Sequence, residues 1–238
     1  MIVVAFDTSD RVGSIALAVG AAAPSLAVLS PDAGPHGPRL LAEIHRLLSE
    51  AGLSLQAVDV VATTNGPGSF TGLRVGLATA QALGFGLGCR VGGVGTLHAQ
   101  AEALRREGIR GVVTTTLDAS RGEVYAAAFE LADESVHEHL PPAVLLPARW
   151  LERLHATFGR AVPAFGAGAM AHPDAFSEAR PAPPLAPALC AMVRDSPMSL
   201  SAAGPIYVRP SEAEVKFGRA PAFDLRQAID AGERTGLH

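Results

Sequence analysis

Residues 66–76, Gly66-Pro67-Gly68-Ser69-Phe70-Thr71-Gly72-Leu73-Arg74-Val75-Gly76, restrict the fold of this chain more than any other segment. They follow an apolar run at 58–64 that reads as a buried strand, and they open onto an uncharged stretch at 75–89 that reads as a buried helix. The order is therefore strand, glycine loop, helix. Closely spaced glycines let a backbone bend sharply and bring its N–H groups near another group, and a helix N-terminus favours an anion. The loop lacks the Lys-Ser/Thr pair of a phosphate-binding P-loop, and the spacing of Gly66, Gly68 and Gly72 misses the dinucleotide fingerprint by one residue. Two readings stay open: Gly66, Gly68 and Ser69 contact a phosphate or carboxylate, or they only shape a tight turn.

A chain of 238 residues with 48% hydrophobic content buries a substantial core, enough for one large or two small domains. The stretch at 75–89 falls short of the roughly 20 residues of a membrane span. Met1 leads straight into Ile2-Val3-Val4-Ala5-Phe6 without a basic region, so no secretory leader and no membrane association are expected, and the expected location is the cytoplasm. Cys89 and Cys190 lie far apart without a partner motif, which argues against a disulfide framework or zinc site. With a net charge of −4 and a single lysine, Lys216, the chain has no basic run to hold nucleic acid on its own.

Strands are expected at 2–6, 14–19 and 26–30 as an antiparallel meander. A helix at 39–51 closed by Gly52, a strand at 58–64, a helix at 70–88, a strand at 90–94 and a helix at 96–107 follow. A second round begins with strands at 111–117, 123–130 and 136–140, then a helix after Pro147 and a strand at 161–165. The first strand of one round ends Phe6-Asp7-Thr8-Ser9 and that of the other Leu117-Asp118-Ala119-Ser120, about 110 positions apart, a weak internal repeat. Prolines exclude central strands and helix interiors, so 171–187 reads as a surface loop. The expected lobes are 1–107 and 108–210, with a tail at 211–238 that carries one short helix near 224–231.

This duplicated βββαβα unit resembles the actin, Hsp70 and sugar-kinase superfamily, a two-lobed actin-like (RNase H-like) α/β fold. In that superfamily paired turns face a nucleotide across a cleft. The resemblance makes Asp7, Thr8, Ser9 and Asp118 candidate nucleotide contacts beside Gly66, Gly68 and Ser69; the competing reading is that both aspartates cap turns. The glycine segment read whole is similar to the signature of the bacterial TsaB family, the dimerisation subunit of the complex that makes threonylcarbamoyladenosine at position 37 of tRNA. Val4-Ala5-Phe6-Asp7-Thr8-Ser9, Leu117-Asp118-Ala119-Ser120-Arg121-Gly122-Glu123-Val124-Tyr125 and Pro205-Ile206-Tyr207-Val208-Arg209 fit the same family in order. That resemblance implies a non-catalytic subunit paired with a TsaD-type transferase, joined by a TsaE-type ATPase, a homodimer when alone, and tRNA met only through the complex. It implies no cofactor beyond a degenerate ATP or ADP site.

Gly72, Gly76, Ala80, Gly84 and Gly88 recur every fourth residue and so line one helical face. Interior glycines cost about 1 kcal/mol each relative to alanine, so something must pack closely on that ridge. Either the chain's own sheet or a second polypeptide fits. The helix at 39–51 carries an apolar stripe, Leu40, Leu41, Ile44, Leu47 and Leu48. By the resemblance this stripe, the ridge and Arg74 form the partner interface.

Catalytic groups are not assembled in the sequence. Ser69 lacks the spacing of a nucleophile elbow, and the eight histidines are scattered without a His-Glu-x-x-His arrangement. In the TsaD-type transferase a segment similar to Gly93-Val94-Gly95-Thr96-Leu97-His98-Ala99-Gln100 carries two metal-binding histidines four residues apart. Here Thr96 and Gln100 take those places, and hydroxyl and amide groups do not replace two imidazoles on a transition metal. The expected metal content is none. The alternatives are an active ATPase or small-molecule kinase using Asp7 and Asp118 with magnesium, and a metallopeptidase.

Overall fold

Residues of the first strand, β1 (Ile2–Asp7), alternate between two buried faces, and this alternation sets the layers of the first lobe. The computed structural model describes residues 1–34 and 36–195. The segment 205–209, the tail and its expected helix lie outside them. β1 runs antiparallel to β2 (Gly13–Val19), which runs antiparallel to β3 (Ser25–Leu29), the meander expected from the sequence. After α1 (His36–Glu50), β4 (Val60–Gly66) pairs parallel with β1; after α2 (Phe70–Leu87), β5 (Arg90–Gly95) pairs parallel with β4. The sheet order is β3-β2-β1-β4-β5.

On one face Val4 and Phe6 pack with Ile15, Leu17 and the apolar residues of α1 and α2. On the other, Val3 and Ala5 lie beside Ala16 and Ala18. Each fully buried aliphatic or aromatic side chain contributes about 1.5–3 kcal/mol, so this two-sided burial makes β1 the centre of the lobe.

The helix α3 (Thr96–Arg106) leads into a second sheet of β6 (Gly111–Asp118), β7 (Val124–Leu131) and β8 (Val136–Leu145). α4 (Pro147–Phe158), the short β9 (Ala164–Phe165) and α5 (Ala167–Met170) come next. Among the described residues its order, β8-β7-β6-β9, repeats the first sheet without a fifth strand. Two differences from expectation have physical reasons. β8 runs on through Pro141 and Pro142 to Leu145, because among the described residues it is an edge strand paired only with β7 and its register shifts there. The expected loop at 171–187 ends early in α6 (Ala186–Asp195), whose Pro187 sits in the first turn, where a missing N–H costs nothing.

α6 comes late in the chain yet packs on the first sheet: Ala186, Ala188, Leu189 and Val193 cluster with Val3, Ala5, Ala16 and Ala18, and Ala186 N donates to Ser14 Oγ at 3.0 Å. α3 is shared in the opposite sense. Its Ala99 and Ala103 join that first cluster, while Leu97, Ala101 and Leu104 pack on Val113, Leu117 and Phe129 of the second sheet. The lobe boundary therefore passes through helix faces as well as through the chain.

The glycine ridge of α2 packs on the chain's own sheet. A Cβ on Gly72 would collide with the carbonyl oxygen of Thr8, one on Gly76 would lie 2.5 Å from Thr8 Oγ1, and one on Gly84 would collide with Val91. Ala80 is fully buried, and Gly88 takes a left-handed conformation that ends the helix. The assignment of Gly72, Gly76, Ala80 and Gly84 to a partner interface is thereby corrected, because the space beside them is already filled. Leu40, Ile44, Leu47 and Leu48 are likewise core residues under α1, and of that stripe only Leu41 faces outward. Ala80→Leu should cost about 1–3 kcal/mol of folding stability by overpacking, measured by urea denaturation.

Cys190 on α6 is buried, its Sγ 3.8 Å from the Ala16 carbonyl oxygen, and burial pushes the thiol from its ordinary value of 9.0 up to about 12. Between those pH values the folded chain keeps a proton that the unfolded chain releases, so stability falls as pH rises through that window. Denaturation midpoints measured at about pH 8 and about pH 10 should diverge less in Cys190→Ala than in the parent chain.

Candidate functional site

At the C-terminal end of β1 the chain turns through Asp7, Thr8 and Ser9, all buried, and this turn is clamped by the glycine loop. Ser69 N donates to Ser9 O at 2.7 Å, and Thr8 Oγ1 donates to Gly72 O at 2.7 Å. Gly72 N in turn donates to Ser69 Oγ at 3.3 Å, an N-cap of α2. A Cβ on Gly68 would lie 2.6 Å from Ser9 O, at a φ of +155°. The glycines thus make room for the chain's own first turn. Of the two readings of Gly68 and Ser69, the tight turn is the one this packing accounts for, with Thr8 and Ser9 lying against the glycines. Gly66 ends β4 within the same clamp.

Asp7 Oδ1 accepts from Ser9 N at 2.9 Å and from Thr64 Oγ1 at 2.7 Å. Asp118 Oδ1 accepts from Ser120 N at 2.7 Å. Each aspartate thus caps the residue two positions on, the turn chemistry expected of Asp. The repeat is geometric, but the two ends are unequal: Asp7 is buried and Asp118 is exposed.

Between the lobes lies a cleft of about 350 Å³. Asp7, Ser9 and Asp10 line it from the first lobe, Gln100 from α3, and Leu117, Ala167 and Met170 from the second. The segment 181–185 forms one wall. Asp118 is not among the lining residues, so only one of the two paired aspartates reaches this opening. Burial, with Asp7 and Asp118 nearby, holds the Asp10 carboxyl above its ordinary value. Five buried oxygens near this end lack a hydrogen-bond partner among the described residues: Ser9 Oγ, Thr63 Oγ1, Asn65 Oδ1, Thr96 Oγ1 and Gln100 Oε1.

Thr96 and Gln100 both sit buried on α3, four residues apart. Gln100 Nε2 donates to Thr116 O at 3.5 Å. Among the described residues no three His, Cys, Asp or Glu side chains gather within reach of one metal ion. Arg74 lies away from the cleft, exposed on α2 with its guanidinium 4.0 Å over the Phe70 ring.

The comparisons with known proteins bear on this arrangement. The family model of TsaD, a tRNA N6-adenosine threonylcarbamoyltransferase, matches residues 32–172. The tRNA threonylcarbamoyladenosine biosynthesis protein TsaB of Escherichia coli (strain K12) is 33% identical over 175 residues, 73% of this chain and 74% of that protein. The chain belongs to the TsaB family. The TsaB of Bacillus subtilis (strain 168) is 29% identical over 119 residues, 50% of this chain and 51% of that protein. A solved structure, YeaZ from Pseudomonas aeruginosa, superposes with a TM-score of 0.71 at 28% identity, covering 87% of this chain and 99% of the other. Membership in the TsaB family agrees with the two-lobed actin-like α/β architecture of the two sheets.

The cleft wall at 181–185 and the support from α6 were not anticipated from the sequence. The usable signal was Leu185, Leu189 and Val193, apolar residues four apart, downstream of prolines that read as loop. Thr64→Val removes one of the two bonds that hold Asp7 Oδ1 and should cost about 1–3 kcal/mol of stability in chemical denaturation, because the carboxylate stays buried.

Proposed function

We propose that this TsaB-family chain is the non-catalytic subunit of a threonylcarbamoyladenosine-forming complex and pairs with a TsaD-type transferase. The observation that supports the reading is the buried pair Thr96 and Gln100, which the sequence resemblance puts at the positions of the transferase's metal-binding histidines, in a chain 33% identical to a TsaB over three quarters of that protein's length. The chain keeps the fold and lacks that ligand pair. A TsaE-type ATPase joins the pair in this reading, and the net charge of −4 leaves tRNA binding to the other subunits.

The pairing surface is the outward side of α1 and α2. Arg74, Ala78, Ala82 and Phe85 are exposed at spacings of four, four and three along α2, and Leu41 is exposed on α1. Phe85 is 94% exposed. Ala78, Ala82 and Phe85 form an apolar strip between Arg74 and Gln81 on that exposed side, and two alanines beside a bare phenylalanine let a partner helix approach closely. The same face serves self-association when the transferase is absent.

Phe85→Glu should weaken pairing with the TsaD-type subunit by about tenfold or more while leaving the melting temperature of the free chain unchanged, read by isothermal titration and thermal unfolding. Unaltered affinity would remove α2 from the interface. Hydrolysis of Mg-ATP by the purified chain, abolished by Asp7→Ala, would replace the scaffold reading with the kinase.

A further inference from the structure

The edge strand β3 has none of the features that keep a strand from recruiting another. Among the described residues it pairs only with β2, and its five residues carry neither charge nor proline. The edge strand of the second lobe, β8, is the contrast, since His137, Glu138, His139, Pro141 and Pro142 all lie in it. Charged side chains and prolines blunt an edge, whereas a bare apolar edge is a template for pairing that native proteins cover.

The two faces of β3 are also treated unequally. Ala27 and Leu29 are buried in the cluster under α1, but Leu26 is 43% exposed and Val28 49%. Leu26 pairs with Ala16 and Val28 with Ser14, so these four residues share one face of the sheet. Over β2 that face is covered by α6: Ala16 and Ser14 are buried, with Ala186 N on Ser14 Oγ and Cys190 Sγ near Ala16 O. The cover stops short of β3.

The course of α6 says what can complete it. Ala186, in its first turn, meets Ser14, and Cys190, one turn on, lies near the carbonyl oxygens of Val3 and Ala16. The helix thus runs along β2 from Ser14 toward Val19 and delivers the chain to the end of the sheet where β3 begins, since Ser25 pairs with Leu17. Nine residues, 196–204, separate α6 from Pro205. They can span up to about 30 Å, more than the roughly 17 Å length of a five-residue strand. Ile206-Tyr207-Val208 is the one run of three successive strand-favouring residues after Asp195, and Pro205 and Pro210 bound it. Prolines beside a strand suit a sheet edge, where N–H groups are needed on one side only.

We infer that residues 205–209 add to the free edge of β3 as a further strand of the first sheet. Side chains alternate along a strand, so Ile206 and Val208 share a face, and this pair lies beside Leu26 and Val28 at the margin of α6. A second copy of the chain competes for the same edge, and the tether decides the competition, because a short linker holds the segment at an effective concentration on the order of millimolar. The inference concerns the chain's own fold and does not rest on pairing with a transferase.

The test is methyl NMR of the full isotope-labelled chain. Nuclear Overhauser contacts should join the methyl groups of Ile206 and Val208 to those of Leu26 and Val28, and a mixture of labelled and unlabelled chains should show none between copies. Val208→Asp puts a charge into the added strand. It should speed hydrogen exchange about tenfold or more at the β3 amides that do not bond to β2, while exchange in β1 stays unchanged. Contacts found only between copies would give the edge to a second chain and overturn the inference. Absence of contacts between residues 205–209 and β3 would overturn it too, as would β3 exchange that Val208→Asp leaves as it was. If Val208→Asp speeds exchange in β1 equally, the contacts in the parent chain decide.

Discussion

The contact of the glycine face of α2 with the turn after β1 is the constraint on which the rest of the first lobe depends. Helical glycines cost about 1 kcal/mol each, and Gly72, Gly76 and Gly84 all occupy one helix. Their return is closeness: α2 settles onto Thr8 and Val91 with no side chain between, and hydrogen bonds from Ser69 N and Thr8 Oγ1 close the gap. Asp7 and Ser9 are thereby fixed at the cleft. The same closeness makes the glycine loop an internal clamp on the turn after β1.

A second constraint joins the lobes. α3 divides its small residues from its leucines, Ala99 and Ala103 toward the first sheet and Leu97 and Leu104 toward the second. α6 returns to the first sheet after the whole second lobe has been built, and Ala186 N meets Ser14 Oγ there. Alanines on both helices keep the layer thin beside Val3, Ala5, Ala16 and Ala18. Such close-packed layers do not deform continuously, so the cleft between the lobes has walls set by packing.

Strands were legible because their apolar runs are short and bounded by glycine or proline, and the repeat of Asp7 and Asp118 foretold a real geometric equivalence. The direction of the glycine ridge was not legible. A row of small residues fits a sheet and a partner helix equally well, and only the position of Thr8 decides between them. α6 stayed hidden for a related reason: Pro187 breaks a helix in its interior but is harmless in its first turn, and the sequence alone does not say where the turn begins. The cleft was half legible. Asp7 and Ser9 stood out in a motif, whereas Gln100 drew notice only as the place of a missing histidine.

The two sides of α2 answer different selective demands. Its inward side must stay bare for β1, β4 and β5, and its outward side carries Ala78, Ala82 and Phe85 with no sheet to satisfy. Burying a phenylalanine is worth about 1.5–3 kcal/mol, a gain that the free chain forgoes at Phe85. Folding of the lobe does not require that side chain to be apolar, because the clamp at Gly72 and Gly76 already holds the helix. In the proposed reading that apolar side is the one a partner subunit covers, while the inward side stays committed to the sheet.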